Sequence, residues 1–275
     1  MVSSTHKEII RCQNIAKDIR KTIIDIIYQT KGPHLGSSFS IVDILVTLYF
    51  KILVIDPKNP YKKNRDIFIL SKGHAVPALY PILAKKGFFS DKLLKKFAIN
   101  DCIFEQHPSR DVAKGIEVTT GSLGNGLSIG AGLALAAKYD KSKRRVFVLL
   151  GDGELDEGSN WEAALFASHH KLDNLIAIVD YNKLQILGAV DKVLGLEPLA
   201  KKWQSFGWET KELDGHNFQQ MINALSRLPF KKGKPNIIIA HTIKGKGVSF
   251  MENQLVWHSK CPNEEEYKKA IKELS

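Results

Sequence analysis

VFVLLGDGELDEGSNWEAALFASHHKLDNLIAIVDYNKLQ, residues 146–185, decides the fold. It opens on the unbroken apolar run Val146–Leu150 and halts at Gly151-Asp152-Gly153. Helical text follows near 157–170. A second apolar run, Leu175–Val179, then ends in Asp180-Tyr181-Asn182. Short apolar runs bounded by turn residues read as strands buried on both faces, and a helix between two of them makes a βαβ unit. The same text recurs outward. Strands are predicted at Ile67–Leu70, Trp208–Leu213 and Ile237–Ala240, and helices at 75–86, 122–138, 196–206 and 217–228. Upstream, Ile15, Ile19, Ile23, Ile26 and Ile27 recur at helical spacing, predicting an amphipathic helix over 5–30. Gly32 and Pro33 break it, and a second helix is expected over Ser40–Leu53. Alternating strand and helix predicts a doubly wound, mainly parallel α/β sheet with helices on both faces. Without a repeat, low-complexity tract or long linker, residues 1–275 are expected to form one domain.

Four strands end in polar or glycine-rich text: Gly151-Asp152-Gly153, Asp180-Tyr181-Asn182, Asp214-Gly215-His216, and His241 through Gly247. Ligands of open α/β sheets sit outside the carboxyl ends of the strands, so the expected chemistry lies at that edge.

Composition narrows the function classes. The 40 Lys and Arg exceed the 29 Asp and Glu, for a net charge of +11, which invites a nucleic-acid reading. The lysines are scattered doublets such as Lys62-Lys63, Lys95-Lys96 and Lys231-Lys232, with no basic block interleaved with aromatics. No nucleic-acid partner is therefore expected; the charge suits a solvated surface or a face toward an acidic partner. Cys12, Cys102 and Cys261 lie far apart, without metal or redox spacing, and suit a reducing compartment. The N-terminus carries Glu8 and Asp18 instead of an apolar signal core. No apolar run is read as long enough to span a membrane. A cytoplasmic location without membrane association is expected.

Gly151 and Gly153 let the backbone approach a ligand, and Asp152 offers a hard oxygen at the strand end. Asn182 reaches the same edge one helix and one strand later. A tight turn with a capping Asp would explain GDG by itself; Asn at the end of the next strand makes the pattern more specific. A carboxylate and an amide oxygen, completed by phosphates and water, suit magnesium. The helix starting near Glu157 turns its N-terminus to the same edge, which favours anions.

GDG followed by this Asn resembles the thiamine diphosphate fingerprint. Further segments extend the likeness to the N-terminal half of transketolases over nearly the whole chain: Gly32-Pro33-His34-Leu35-Gly36-Ser37-Ser38, Leu70-Ser71-Lys72-Gly73-His74-Ala75, Val118 through Gly126, and His241 through Gly247 with Trp257-His258. The resemblance implies the diphosphate-binding domain of the thiamine diphosphate fold. Asp152, Asn182 and the carbonyl of Leu184 are implied as ligands of Mg2+, with Ca2+ or Mn2+ as substitutes. Gly151, Gly153, Lys244 and His258 would approach the diphosphate, Gly121 and Leu123 the aminopyrimidine, and Ile186 the thiazolium. His34, His74, His107 and His258 would line the channel above the ring, hydrogen-bonding sugar hydroxyls and moving protons. Glu157 and Glu162 would lie at the interface linking two cofactor sites.

The implied activity is ketol transfer between sugar phosphates. The resemblance also implies a missing partner, because the family's second domain supplies the glutamate that activates the pyrimidine. The chain ends at Ser275 after a lysine-rich tail, so a split enzyme is expected, in which the partner within a heterotetramer is the C-terminal transketolase subunit. Two other readings stay open: the α subunit of a 2-oxo acid dehydrogenase first component, and a non-catalytic cofactor-binding orphan. A dinucleotide-binding oxidoreductase is disfavoured, because Gly121–Gly130 does not follow GxGxxG.

Overall fold

The computed structural model describes residues 6–99 and 102–275. Its strands are β1 (Ile67–Leu70), β2 (Val146–Gly151), β3 (Leu175–Tyr181), β4 (Glu209–Asp214) and β5 (Asn236–His241). They form one wholly parallel sheet in the order β1-β2-β3-β5-β4. The helices are α1 (His6–Thr30), α2 (Leu35–Phe39), α3 (Val42–Thr47), α4 (Val76–Lys86), α5 (Asn125–Tyr139), α6 (Gly158–His169), α7 (Val190–Val193), α8 (Leu199–Ser205), α9 (Phe218–Leu225) and α10 (Glu264–Glu273). Residue 5, the predicted start of the first helix, lies outside the described residues.

Side chains alternate across the sheet because the strand period is two. Phe68, Leu70, Phe147, Leu149, Ile176, Ile178, Ile238 and Ala240 face one core, with α1, α3, α4, α9 and α10. Ile67, Ile69, Val146, Val148, Leu150, Leu175, Ala177, Val179, Ile237 and Ile239 face the other, with α5, α6 and α8. Both faces are thus covered, which is why the central strands read as continuous apolar runs. The chain passes from β3 to the edge strand β4 and returns to β5 between them. Right-handed crossovers then place α8 and α9 on opposite faces.

The structure corrects several expectations. The Gly-Pro break at 32–33 is followed at once by α2, whose five residues are all buried. The helix expected over 40–53 is α3 followed by a π-helical turn, Leu48–Ile52. The helix expected over 196–206 shortens to α8, with α7 preceding it, and the C-terminal text forms α10 behind a capping box between Asn263 and Glu266. The stretch Leu35–Ile52, 18 residues, is long and apolar enough to cross a membrane by length and composition, contrary to the sequence reading. Here 89% of it is buried inside the fold, so core packing accounts for its apolarity.

Candidate functional site

The carboxyl ends of β1, β2, β3 and β5 open into a cleft of about 300 Å³. His34, His74, Gly121, Leu123, Gly151, Asp152, Gly153, Asn182, Leu184, Ile186, Lys244 and His258 all line it. Every predicted site residue is therefore brought to one place except His107 and Glu157.

Asp152 follows β2 directly and is only 4% exposed. Its carboxylate accepts the N–H of Gly153 at 2.8 Å and of Lys183 at 2.6 Å. Among the described residues no Lys, Arg or His forms a salt bridge with it. Burial, helped by the negative charge of Asp180, pushes its pKa up to about 6. The positive charge of Lys72 offsets only part of this, and a buried carboxylate with no ion-pair partner among the described residues is the environment a cation relieves. Asn182 follows β3; its amide nitrogen donates to Asp180 at 3.1 Å, and its oxygen accepts the N–H of Leu184 at 3.1 Å. The Leu184 carbonyl accepts from the Lys244 ammonium at 2.8 Å, and that ammonium also donates to His258 Nδ1 at 3.0 Å. A cation already occupies the third predicted ligand, so the donor set fits a positive charge. No cluster of three His, Cys, Asp or Glu side chains suited to a metal occurs among the described residues. The predicted set contributes only one such side chain, the other two ligands being an amide and a carbonyl.

The rings of His34, His74 and His258 form a triangle with centroids 5.1, 5.5 and 5.4 Å apart. His34 sits at φ 76°, the left-handed region that costs a non-glycine residue on the order of 1 kcal/mol. Its N–H donates to the His258 carbonyl at 3.0 Å, which binds the two loops together. Burial lowers the pKa of His34 to about 4 and of His258 to about 3, and that of His74 well below its ordinary value. The positive charges of Lys72 and Lys244 push all three the same way. The triangle is therefore neutral at pH 7. Lys244 is also pulled down, to about 8, first by burial and then by Lys72.

His107 borders the cleft without lining it, and after burial its charge contributes most to lowering the pKa of His34. It is exposed, with its ring against Gly121, where a Cβ would meet His107 Cδ2 at 3.2 Å. Glu157 and Glu162, at the start of α6, are exposed and outside the cleft lining. Gly124 packs against this turn at φ 85°. A Cβ there would come within 2.5 Å of Ser159 Oγ, so the loop before α5 can approach α6 this closely only with glycine at this position.

Three groups escaped the sequence reading. Lys72, which lines the cleft, and Asp180, 2% and 0% exposed, form an ion pair at 2.6 Å. Ser40 at 2.7 Å and Thr242 add hydrogen bonds to Asp180. Burial pushes Asp180 up, but Lys72 and these donors outweigh it and hold the carboxyl low. Glu154 accepts from Ser71, from Gly124 N–H at 2.9 Å and from Gly151 N–H at 3.1 Å, fixing the turn after β2. The available signals were an acid ending an apolar strand, at Asp180, and a lysine inside the histidine loop, at Lys72.

Residues 11–275 match the family described as transketolase, thiamine diphosphate binding domain. The chain is 43% identical to one subunit of the apulose-4-phosphate transketolase of Phocaeicola vulgatus, over 93% of this chain and 91% of that protein. It is 44% identical to a 6-deoxy-6-sulfo-D-fructose transketolase subunit of a Clostridium species, over 95% of each. The solved transketolase of Campylobacter jejuni superposes with a TM-score of 0.89 at 32% identity, covering 96% of this chain and 42% of that one. This chain thus spans about two-fifths of the solved transketolases and nearly all of the proteins named as subunits. The sheet, the strand-end cleft and these matches agree, and the chain belongs to the transketolase family, as its thiamine diphosphate-binding domain.

Proposed function

We propose that this chain is the metal- and diphosphate-holding subunit of a two-subunit transketolase, moving a two-carbon ketol unit from a ketose phosphate to an aldose phosphate. The observation that carries the reading is the single cleft that joins a buried carboxylate without a salt bridge among the described residues, a buried lysine and three neutral histidines. Relatives named as transketolase subunits match over nearly their full length, which supports the split.

Asp152, the Asn182 amide oxygen and the Leu184 carbonyl would hold magnesium, and Lys244, released from Leu184, would take the diphosphate. Bound thiamine diphosphate supplies the electron sink for the carbon–carbon bond that is cleaved. The chain's own histidines do the rest. A neutral imidazole donates from one ring nitrogen and accepts at the other. His34, His74 and His258 are thus suited to orient sugar hydroxyls and carry a proton to and from the substrate carbonyl oxygen. Asp152 and Glu154 are the only carboxylates lining the cleft among the described residues, and both accept backbone N–H groups. A carboxylate that activates the pyrimidine must then come from a partner, the C-terminal transketolase subunit.

Asp152→Ala tests the site. With the partner and magnesium present, the variant should fold but lose thiamine diphosphate binding by calorimetry, since magnesium depends on its protein carboxylate. Wild-type cofactor affinity would remove the basis of the assignment.

A further inference from the structure

Asp214-Gly215-His216, at the carboxyl end of β4, stands outside the cleft. The His216 side chain is 11% exposed and lies between two partners. Its Nδ1 is 2.7 Å from Asp43 Oδ2, and its Nε2 accepts the backbone N–H of Ile243 at 2.8 Å. A backbone N–H only donates, so Nε2 must carry the lone pair and the ring proton sits on Nδ1, directed at Asp43. The fold thus selects one tautomer.

Asp43 is held in turn by Arg20, with Nη1 donating to Oδ1 at 3.0 Å and Nη2 to Oδ2 at 2.8 Å, both side chains 8% exposed. Arg20 also reaches the far end of the same loop. Gly247 sits at φ 101°, and a Cβ there would meet Arg20 Cδ at 2.9 Å. Ile243 and Gly247 bracket Lys244, and Gly245 N–H donates to the Gly36 carbonyl at 3.0 Å from the opposite side. A buried ion pair adds little net stability over apolar residues of the same volume, but it fixes direction. Here the direction runs from α1 through α3 and the β4 turn to the residue before Lys244.

We infer that Arg20, Asp43 and His216 are positioning residues that set the 243–247 loop and, through Lys244, the affinity for the diphosphate. The inference rests on the assignment of Lys244 to the diphosphate made above. Side chains that only cement the core would affect stability and leave ligand affinity alone.

Nitrogen-15 NMR of the full chain reads the tautomer. His216 should show a protonated Nδ1 and an unprotonated Nε2 at neutral pH; a protonated Nε2 overturns the relay. NMR titration with magnesium thiamine diphosphate, which measures affinities into the millimolar range, then reads the consequence. His216→Ala should weaken binding about tenfold, the lower end for losing an outer partner of a ligating group. His216→Gln should recover most of it, because its amide nitrogen can donate to Asp43 while its oxygen accepts from Ile243. In a Lys244→Ala background, His216→Ala should add little. If Lys244→Ala leaves affinity unchanged, the diphosphate assignment fails and the relay falls with it. If Lys244→Ala weakens binding but His216→Ala is neutral or fully additive, the relay alone is wrong. Should His216→Ala fail to fold, the tautomer and the affinity of His216→Gln decide in the same sense: wild-type-like values for both support the relay, and loss of affinity in a folded His216→Gln contradicts it.

Discussion

Replacing Asp152 by Asn should make the ligand-free chain more stable while taking the carboxylate out of the proposed metal site. The carboxyl ionises near 3.8 in an unfolded chain and near 6 in the fold, because it is buried beside the charge of Asp180. At about 1.36 kcal/mol per pH unit, that separation is worth about 3 kcal/mol. The sign follows from proton binding. Between these two values the folded state holds a proton that the unfolded state has released, so stability falls as pH rises from about 4 to about 6 and the loss is complete above that. Asparagine carries no charge and escapes the loss. It has one acceptor oxygen where the carboxylate offers two, and Gly153 and Lys183 both donate there. Leaving one of these buried N–H groups unsatisfied costs about 1–3 kcal/mol, so the net gain is at most about 2 kcal/mol at pH 7.5. Urea unfolding of both proteins, without metal or cofactor, at pH 7.5 and pH 4 measures it. The variant should be the more stable at pH 7.5, and the advantage should vanish at pH 4. A variant less stable than wild type at pH 7.5 would refute the view that the fold holds this carboxylate ready for a cation.

Two further outcomes follow. His74→Ala should slow ketol transfer in the assembled enzyme by about 10²–10⁴-fold, the range for a positioned proton-transfer group, with cofactor affinity nearly unchanged in calorimetry; wild-type turnover would leave His74 a packing residue. Lys72→Met strands the fully buried Asp180 carboxylate and should cost about 3–5 kcal/mol in urea unfolding, whereas a cost under about 1 kcal/mol, the range of an exposed ion pair, would contradict the buried-pair geometry.

Much of the fold is legible because burial on both faces writes itself as unbroken apolar text, as in Val146–Leu150 and Ile237–Ala240. Strand order is not written that way. Ile237–Ala240 comes last in sequence yet enters between β3 and β4, and only the alternation Glu209, Lys211 hints that β4 is an edge. Helix α2 is invisible because glycine and serine disfavour helix locally, and packing against the core overrides that preference. In the site, residues that offer a polar group to the strand edge are legible. Lys72, Asp180 and Glu154 are harder to see because their polar atoms turn inward and serve the backbone and each other. His216 shows both limits: its motif stands out, but its partner Asp43 lies in a helix far away in sequence.

The central claim, that this chain holds the cofactor but needs a second chain to use it, is tested most directly by turnover. The purified chain, at high concentration with thiamine diphosphate, magnesium, a ketose phosphate and an aldose phosphate, should show no ketol transfer. Adding the complementary subunit should produce it. Turnover by the chain alone, with contaminating partner excluded by mass spectrometry, would contradict the account.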